Sequence, residues 1–262
     1  QKMMPVKVMR KVVIDAHCHV GKSWLMLYLK DRNYTAEDLI ACMDECGVDM
    51  AVVSGSGRAP EIMEWNKRVL EAARKYPNRL IGFARINPLL EDAMKTIEHY
   101  VKDYGFRGIK LHPMQDFYQS LDPAAQEVLN KAAKLGIPVM IHSGTDPWTM
   151  PGQIADLADM YPEVPVIMAH SGHGQLYQHA VPCARRVKNI ILETSGHPGW
   201  QVFTNAVKTI GAERVVYGSD WPCASMKAEM MKIKRLPISE EEKGQVLGGS
   251  LARILGLKVE EE

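Results

Sequence analysis

Five short apolar runs in this chain each close on a residue that can bind a metal ion or an anion. They are Val12-Val-Ile-Asp-Ala-His-Cys-His19, Arg107-Gly-Ile-Lys110, Pro138-Val-Met-Ile-His142, Pro165-Val-Ile-Met-Ala-His170 and Val215-Val-Tyr-Gly-Ser-Asp220. With three further runs they mark eight candidate strands, near residues 12–19, 48–54, 79–86, 106–112, 137–142, 164–170, 189–195 and 214–220. Longer amphipathic segments lie between them. Short β-branched runs alternating with such segments argue for βα repeats and a parallel sheet.

Eight such units in strict alternation predict an α/β fold, a (β/α)8 TIM barrel, as a single domain over residues 1–262. An open doubly wound sheet is the alternative. Its ligand loops gather at one switch point, so polar ends on strands one, four, five, six and eight would not meet. In a barrel they do, because functional residues sit at the C-terminal strand ends.

Helix signals support the alternation. Thr35-Ala-Glu-Asp38 can cap a helix whose apolar face holds Leu39, Ile40, Met43 and Cys46. Asp122 with Pro123 opens another, which Gly136 ends. Ser239-Glu-Glu-Glu242 reads as a capping box for the last helical stretch, closing near Gly256.

The chain has 262 residues, 46% hydrophobic, ample for one core. Its 32 basic and 31 acidic residues leave a net charge of +1, which points to neither a nucleic-acid groove nor a membrane-surface patch. The expected partner is a small-molecule substrate, and pairing of barrels through their helices makes a homodimer compatible with the fold. Gln1-Lys-Met-Met-Pro-Val-Lys is basic without a long apolar core, so neither a signal peptide nor a membrane span is expected. Five irregularly spaced cysteines, Cys18, Cys42, Cys46, Cys183 and Cys223, suit a reducing cytoplasm and small buried side chains better than a disulfide scaffold.

Strand alternation orients the polar ends. In Asp15-Ala-His-Cys-His19, residues 15, 17 and 19 are expected on one face and Ala16 and Cys18 on the other. Two imidazoles so spaced can bind one Zn²⁺ at about 2.0–2.1 Å each. His142, His170 and Asp220 continue inward lines of their own strands. A lone strand-end histidine is ordinarily a core or loop residue. A His-x-His pair with two more strand-end histidines and an aspartate is a metal-site pattern.

These motifs resemble the amidohydrolase superfamily, and within it the amidohydrolase-2 branch. The matching stretches are Ile14-Asp-Ala-His-Cys-His19, Gly82-Phe-Ala-Arg-Ile-Asn-Pro88, Gly105-Phe-Arg-Gly-Ile-Lys-Leu-His-Pro113, Val139-Met-Ile-His142, Ala169-His170 and Tyr217-Gly-Ser-Asp-Trp-Pro222. The resemblance implies one divalent metal held by His17, His19, His142 and Asp220, with zinc the expected ion, although such donors suit several. It implies that His170 and Asp220 act as acid or base on a metal-activated water, whose pKa a bound cation brings to about 7. The alternative is a binuclear site bridged by a carboxylated Lys110.

Arg58, Arg85, Asn87, Lys110, His112 and His173 are the substrate-binding candidates, facing an anionic ligand from loops or strand ends. His197 is placed much like His173. Trp24, Trp148 and Trp221 fall on loops that can wall a pocket, while Trp65 and Trp200 read as helix packing. The expected activity is hydrolysis of a small, carboxylate-bearing lactone, ester or amide. This rests on the short loops, since decarboxylases of the branch run longer. Metal-dependent, non-oxidative decarboxylation of a small carboxylic acid is the alternative. A purely structural metal fits less well, because a closed site needs four ligands and no fifth polar group aimed at it.

Overall fold

Each β-branched run forms a strand in a computed structural model that describes residues 12–22, 33–57, 61–197 and 199–258. The barrel strands are β1 Ile14–His19, β2 Met50–Ser54, β3 Leu80–Ile86, β4 Gly108–Leu111, β5 Val139–His142, β6 Val166–Ala169, β7 Ile190–Glu193 and β8 Val215–Val216. They pair in parallel in chain order. Backbone bonds from Ala16 N to the Tyr217 carbonyl at 2.9 Å and from His19 N to the Trp221 carbonyl at 2.8 Å join the last strand to the first. The result is a (β/α)8 barrel.

Period-two alternation divides the apolar residues between two layers. Ile14, Met50, Val52, Ile81, Phe83, Met140, Ile167, Ile191 and Val216 fill the barrel. Val53, Ala84, Ile109, Leu111, Val139, Ile141, Val166 and Met168 pack outward on the helices. Phe83 needs room: a Cβ on its neighbour Gly108 would lie 2.5 Å from the phenyl ring. Below, Leu251, Ala252 and Leu255 plug the barrel. A Cβ on Gly248 would lie 2.0 Å from the Val12 carbonyl oxygen, so that last helical stretch can come close only with glycine there.

The helices follow their capping signals. They are α1 Ala36–Cys46, α2 Ile62–Lys75, α3 Ala93–Glu98, α4 Pro123–Leu135, α5 Pro151–Asp159, α6 Tyr177–Arg186, α7 Trp200–Ile210 and α8 Met226–Lys234. Thr35 and Asp38 form a reciprocal box, with bonds of 3.1 and 2.9 Å, and Gly47 ends α1 at φ 73°. Asp122 accepts from Ala124 N at 2.9 Å, and Gly136 closes α4 at φ 64°. Trp65 is buried, but Trp200, in the first turn of α7, is 46% exposed rather than packed. Among the described residues, no helix is long and apolar enough to cross a membrane.

Three strands differ from simple alternation. In β6 Ile167 and Ala169 face the barrel and Val166 and Met168 the helices, so His170 does not continue an inward line; it reaches the mouth through a left-handed turn just past the strand. In β1 the pairing steps from Asp15–Ala51 to Cys18–Val53, three residues against two, which is a β-bulge. Ala16 therefore joins Ile14 inside the barrel, Cys18 goes to the outer layer, and Asp15 does not share the mouth with His17 and His19. β8 is short because Tyr217 N donates instead to the Val246 carbonyl at 2.8 Å, outside the sheet. The released chain then turns at Asp220.

Candidate metal centre and active site

The bulge turns both β1 histidines into the mouth. Nδ1 of His19 lies 3.0 Å from the Ser54 carbonyl oxygen and so donates to it, leaving Nε2 bare and 3.2 Å from Asp220 Oδ1. His17 Nε2 lies 3.7 Å from the same oxygen. Two ligands held at zinc-like distances in a tetrahedral site stand about 3.4 Å apart, so these spacings fit an ion with Asp220 between the imidazoles. Asp220 and His170 have φ of 55° and 63°, left-handed values that a non-glycine residue adopts at a cost. Ser171 and His173 share that conformation, so the strain gathers at the mouth.

One nitrogen each of His17 and His170 and one oxygen of Asp220 lie within 4.8 Å of one another, a group that could hold a metal ion. Electrostatics suit a cation. Burial, helped by nearby Lys110, brings the His17 imidazole down to about 3. Burial likewise lowers His142 and His170, so their rings are neutral with lone pairs to give. For Asp220, burial pulls upward, but the His19 bond and nearby His17 and His170 outweigh it and hold the carboxyl well below its usual range. Lys110, at the end of β4, is buried with Nζ 2.9 Å from His17 Nε2. Burial draws its ammonium down to about 8, against the opposing pull of Asp220 and Glu193.

Glu193, the last residue of β7, is a site residue that the sequence reading passes over. Its Oε2 lies 3.2 Å from His17 Nδ1 and accepts from Ser195 Oγ at 2.8 Å and from His170 N at 2.9 Å. Its Oε1 accepts from Ser195 N at 2.6 Å. Burial opposes the charge, but these bonds, led by His17, bring the carboxyl to about 2. The signal was present, since Ile190-Ile-Leu-Glu193 is another apolar run closing on a ligand-type residue.

The other candidates divide. His142 stacks on His112 with ring centroids 3.8 Å apart and planes 13° apart, and its centroid is 4.8 Å from that of His170. His112 also caps the one-turn helix Pro113–Asp116, its Nδ1 accepting from Gln115 N at 3.4 Å. Arg85 is fully buried, and its NH1 bonds the Asp116 carboxylate and the Ile86 carbonyl, each at 2.7 Å. Its charge is thus matched inside the protein instead of facing a ligand. The Asn87 side-chain oxygen accepts from Leu89 N at 3.0 Å within its own turn.

His173 is exposed, its ring centroid 5.4 Å from that of His170. His197 ties loops together through the Gly174 carbonyl and Gly199 N. Trp221 packs on Tyr34, whereas Trp148 and Phe117 stand edge to face near the rim, 6.2 Å apart. Arg58 and Trp24 lie outside the described residues.

A family model described as "Amidohydrolase" matches residues 14–257. A curated relative, gamma-resorcylate decarboxylase of Polaromonas sp. (strain JS666), is 22% identical over 297 aligned positions, covering 88% of this chain and 89% of the relative. The crystal structure of 5-carboxyvanillate decarboxylase from Sphingomonas paucimobilis superposes with a TM-score of 0.76 at 17% identity, covering 95% of this chain and all of that one. A dihydroxybenzoic acid decarboxylase from Polaromonas sp. JS666, solved with bound manganese and the inhibitor 2-nitroresorcinol, superposes at 0.73 with 19% identity, covering 94% of this chain and 97% of that one.

These findings overturn the expectation of hydrolysis. The matched curated relatives are decarboxylases. Loop length does not decide the reaction, because the alignment to a decarboxylase still covers 88% of this chain and 89% of that relative. Metal ligands alone could not decide the matter, since the same donors serve either reaction.

Proposed function

The chain belongs to the amidohydrolase family, in its amidohydrolase-2 branch, and from that premise we propose that it is a metal-dependent, non-oxidative decarboxylase of a small hydroxylated aromatic acid. The observation that carries this reading is the match, over most of the chain, to gamma-resorcylate decarboxylases. The site geometry supports it: neutral imidazoles, an ionised Asp220 and a buried Lys110 converge on one mouth.

His17, His19 and Asp220 fit an ion by their spacing, and we assign the fourth position to His142. The compact donor group contains His170 instead, so the assignment of His142 rests on the family resemblance and on its place at the end of β5, with its ring centroid 4.8 Å from that of His170. His170 is better suited to act across the substrate. One divalent ion per chain is proposed. Zinc suits these donors, and manganese is the competing identity because a structural neighbour holds it. When bound, the ion supplies positive charge that orients the acid and steadies negative charge on its oxygens.

The protein groups do the rest. Lys110 pairs with an anionic oxygen of the substrate, and the Trp148–Phe117 edge offers aromatic surface at the rim. A solvent proton, taken up at the unprotonated Nε2 of His170 or at the Asp220 carboxylate and passed on, adds to the ring carbon that bears the carboxylate. The carbon–carboxylate bond then breaks, its electron pair restores the aromatic ring, and CO₂ leaves. A homodimer in a reducing cytoplasm completes the proposal.

Reaction in D₂O with a panel of hydroxybenzoic acids tests it. One deuterium should appear at the carbon that lost CO₂. Metal-loaded protein that leaves the whole panel unchanged would refute the assignment.

A further inference from the structure

We propose that Glu193 is the positioning residue of this centre, one buried carboxylate that fixes the tautomers of two histidines, His17 directly and His170 through Ser195, so that both turn an unprotonated Nε2 to the mouth, where Lys110 Nζ meets that of His17. The inference rests on the metal-site reading above only for its effect on ion affinity.

The hydrogen bonds leave one self-consistent arrangement. Backbone N–H groups of His170 and Ser195 can only donate, and they reach different carboxylate oxygens, at 2.9 and 2.6 Å. Both oxygens therefore act as acceptors. His17 Nδ1, 3.2 Å from Oε2, must carry its proton there. The Ser195 hydroxyl gives its single proton to Oε2 at 2.8 Å. Its oxygen is then free to accept from His170 Nδ1 at 2.9 Å, so that ring is also protonated on Nδ1. The second approach of the hydroxyl to His17 Nδ1 is longer, 3.4 Å.

A separate feature shows that the seat is built for this carboxylate. A Cβ on Gly218 would lie 2.2 Å from Glu193 Oε1. The glycine between Tyr217 and Ser219 is thus required by the close approach of Glu193. An amide at 193 would set an NH₂ against one of the converging N–H donors, so glutamine is not a neutral replacement. A partner behind a ligating imidazole fixes its ring and raises its basicity, and losing it costs about 10–100-fold in metal affinity.

The test has two arms. Metal-free wild-type protein with ring-¹⁵N-labelled histidine is read by long-range ¹H–¹⁵N correlation, with signals assigned through His17→Gln and His170→Gln. Both rings should carry their proton on Nδ1, and a proton on Nε2 of either would overturn the proposal without any need for a Glu193 variant to fold. In the second arm, Zn²⁺ affinity is measured against a chromogenic chelator. Glu193→Gln should bind about 10–100-fold more weakly, while Ser195→Ala should stay within about threefold and yet release the His170 tautomer. Unchanged affinity in Glu193→Gln, or a His170 ring unaltered in Ser195→Ala, would overturn the proposal. Wild-type protein that binds no Zn²⁺ or Mn²⁺ would instead defeat the metal reading, and the tautomers would still judge Glu193.

Discussion

Lys110 places its Nζ 2.9 Å from Nε2 of His17, with both side chains buried. The cation therefore stands directly beside a nitrogen assigned to the ion, where a substrate anion bridging the two would be held from both sides. Lys110→Met keeps the bulk and removes the charge. It should lower kcat/KM by at least about 100-fold, the scale of about 3 kcal/mol for a charge-assisted contact in a dry site. Metal content should stay near one equivalent, read by elemental analysis. Two equivalents in the wild type would instead make Lys110 a bridge.

Arg85 and Asp116 give a stability prediction. Both side chains are buried and joined at 2.7 Å, so Asp116→Ala strands a guanidinium in the interior. Breaking a buried pair in this way costs about 3–5 kcal/mol. Urea unfolding should show a loss of that order, and a loss below about 1 kcal/mol would mean that the pair is not what holds Arg85.

Asp15 gives a pH dependence. Its Oδ1 accepts from His17 N and Ser219 N at 2.9 and 3.0 Å, yet burial dominates and pushes the carboxyl from 3.8 up to about 7. The folded state thus holds this proton more tightly than the unfolded chain does. The stability it contributes is complete below about pH 4 and lost as pH rises through about 7. In metal-free protein, Asp15→Asn should be more stable than wild type at pH 8, by about 1–3 kcal/mol, with the difference shrinking toward pH 4. Urea midpoints across that range check it, and a variant that is less stable at pH 8 would show that the charge is accommodated.

His142 and His170 are separated by their alanine variants. His142→Ala should weaken metal binding at least about tenfold, as loss of a ligand does. His170→Ala should keep its ion and lose about 10²–10⁴-fold in kcat. Emptying of the site in His170→Ala, with retention in His142→Ala, would exchange the two roles.

Much of this site was legible because the residues concerned lie at or just past the C-terminal ends of strands. His17, His19, Lys110, His142, His170 and Asp220 each close an apolar run, and a barrel brings such ends together. What escaped depends on contacts that periodicity does not encode. Asp15 left the expected face because a bulge adds one residue to β1. Arg85 has the parity of a ligand-facing residue, but Asp116, from a one-turn helix after the next strand, takes its charge. Glu193 closes an apolar run as the others do, but its role behind the imidazoles depends on contacts that the run does not encode. The choice between decarboxylation and hydrolysis came from relatives, since ligand identity is common to both.

The central claim is metal-dependent loss of CO₂ from a hydroxylated aromatic acid, and carboxyl-¹³C substrate tests it most directly. Headspace ¹³CO₂ is measured over protein as isolated, stripped by chelator and reloaded with Zn²⁺ or Mn²⁺, using 2,6-dihydroxybenzoate and 5-carboxyvanillate. The account predicts one ¹³CO₂ for each phenol formed, abolished by stripping and restored by reloading. Release that is unchanged after the ion is removed, or no release from either acid by fully loaded protein, would contradict it.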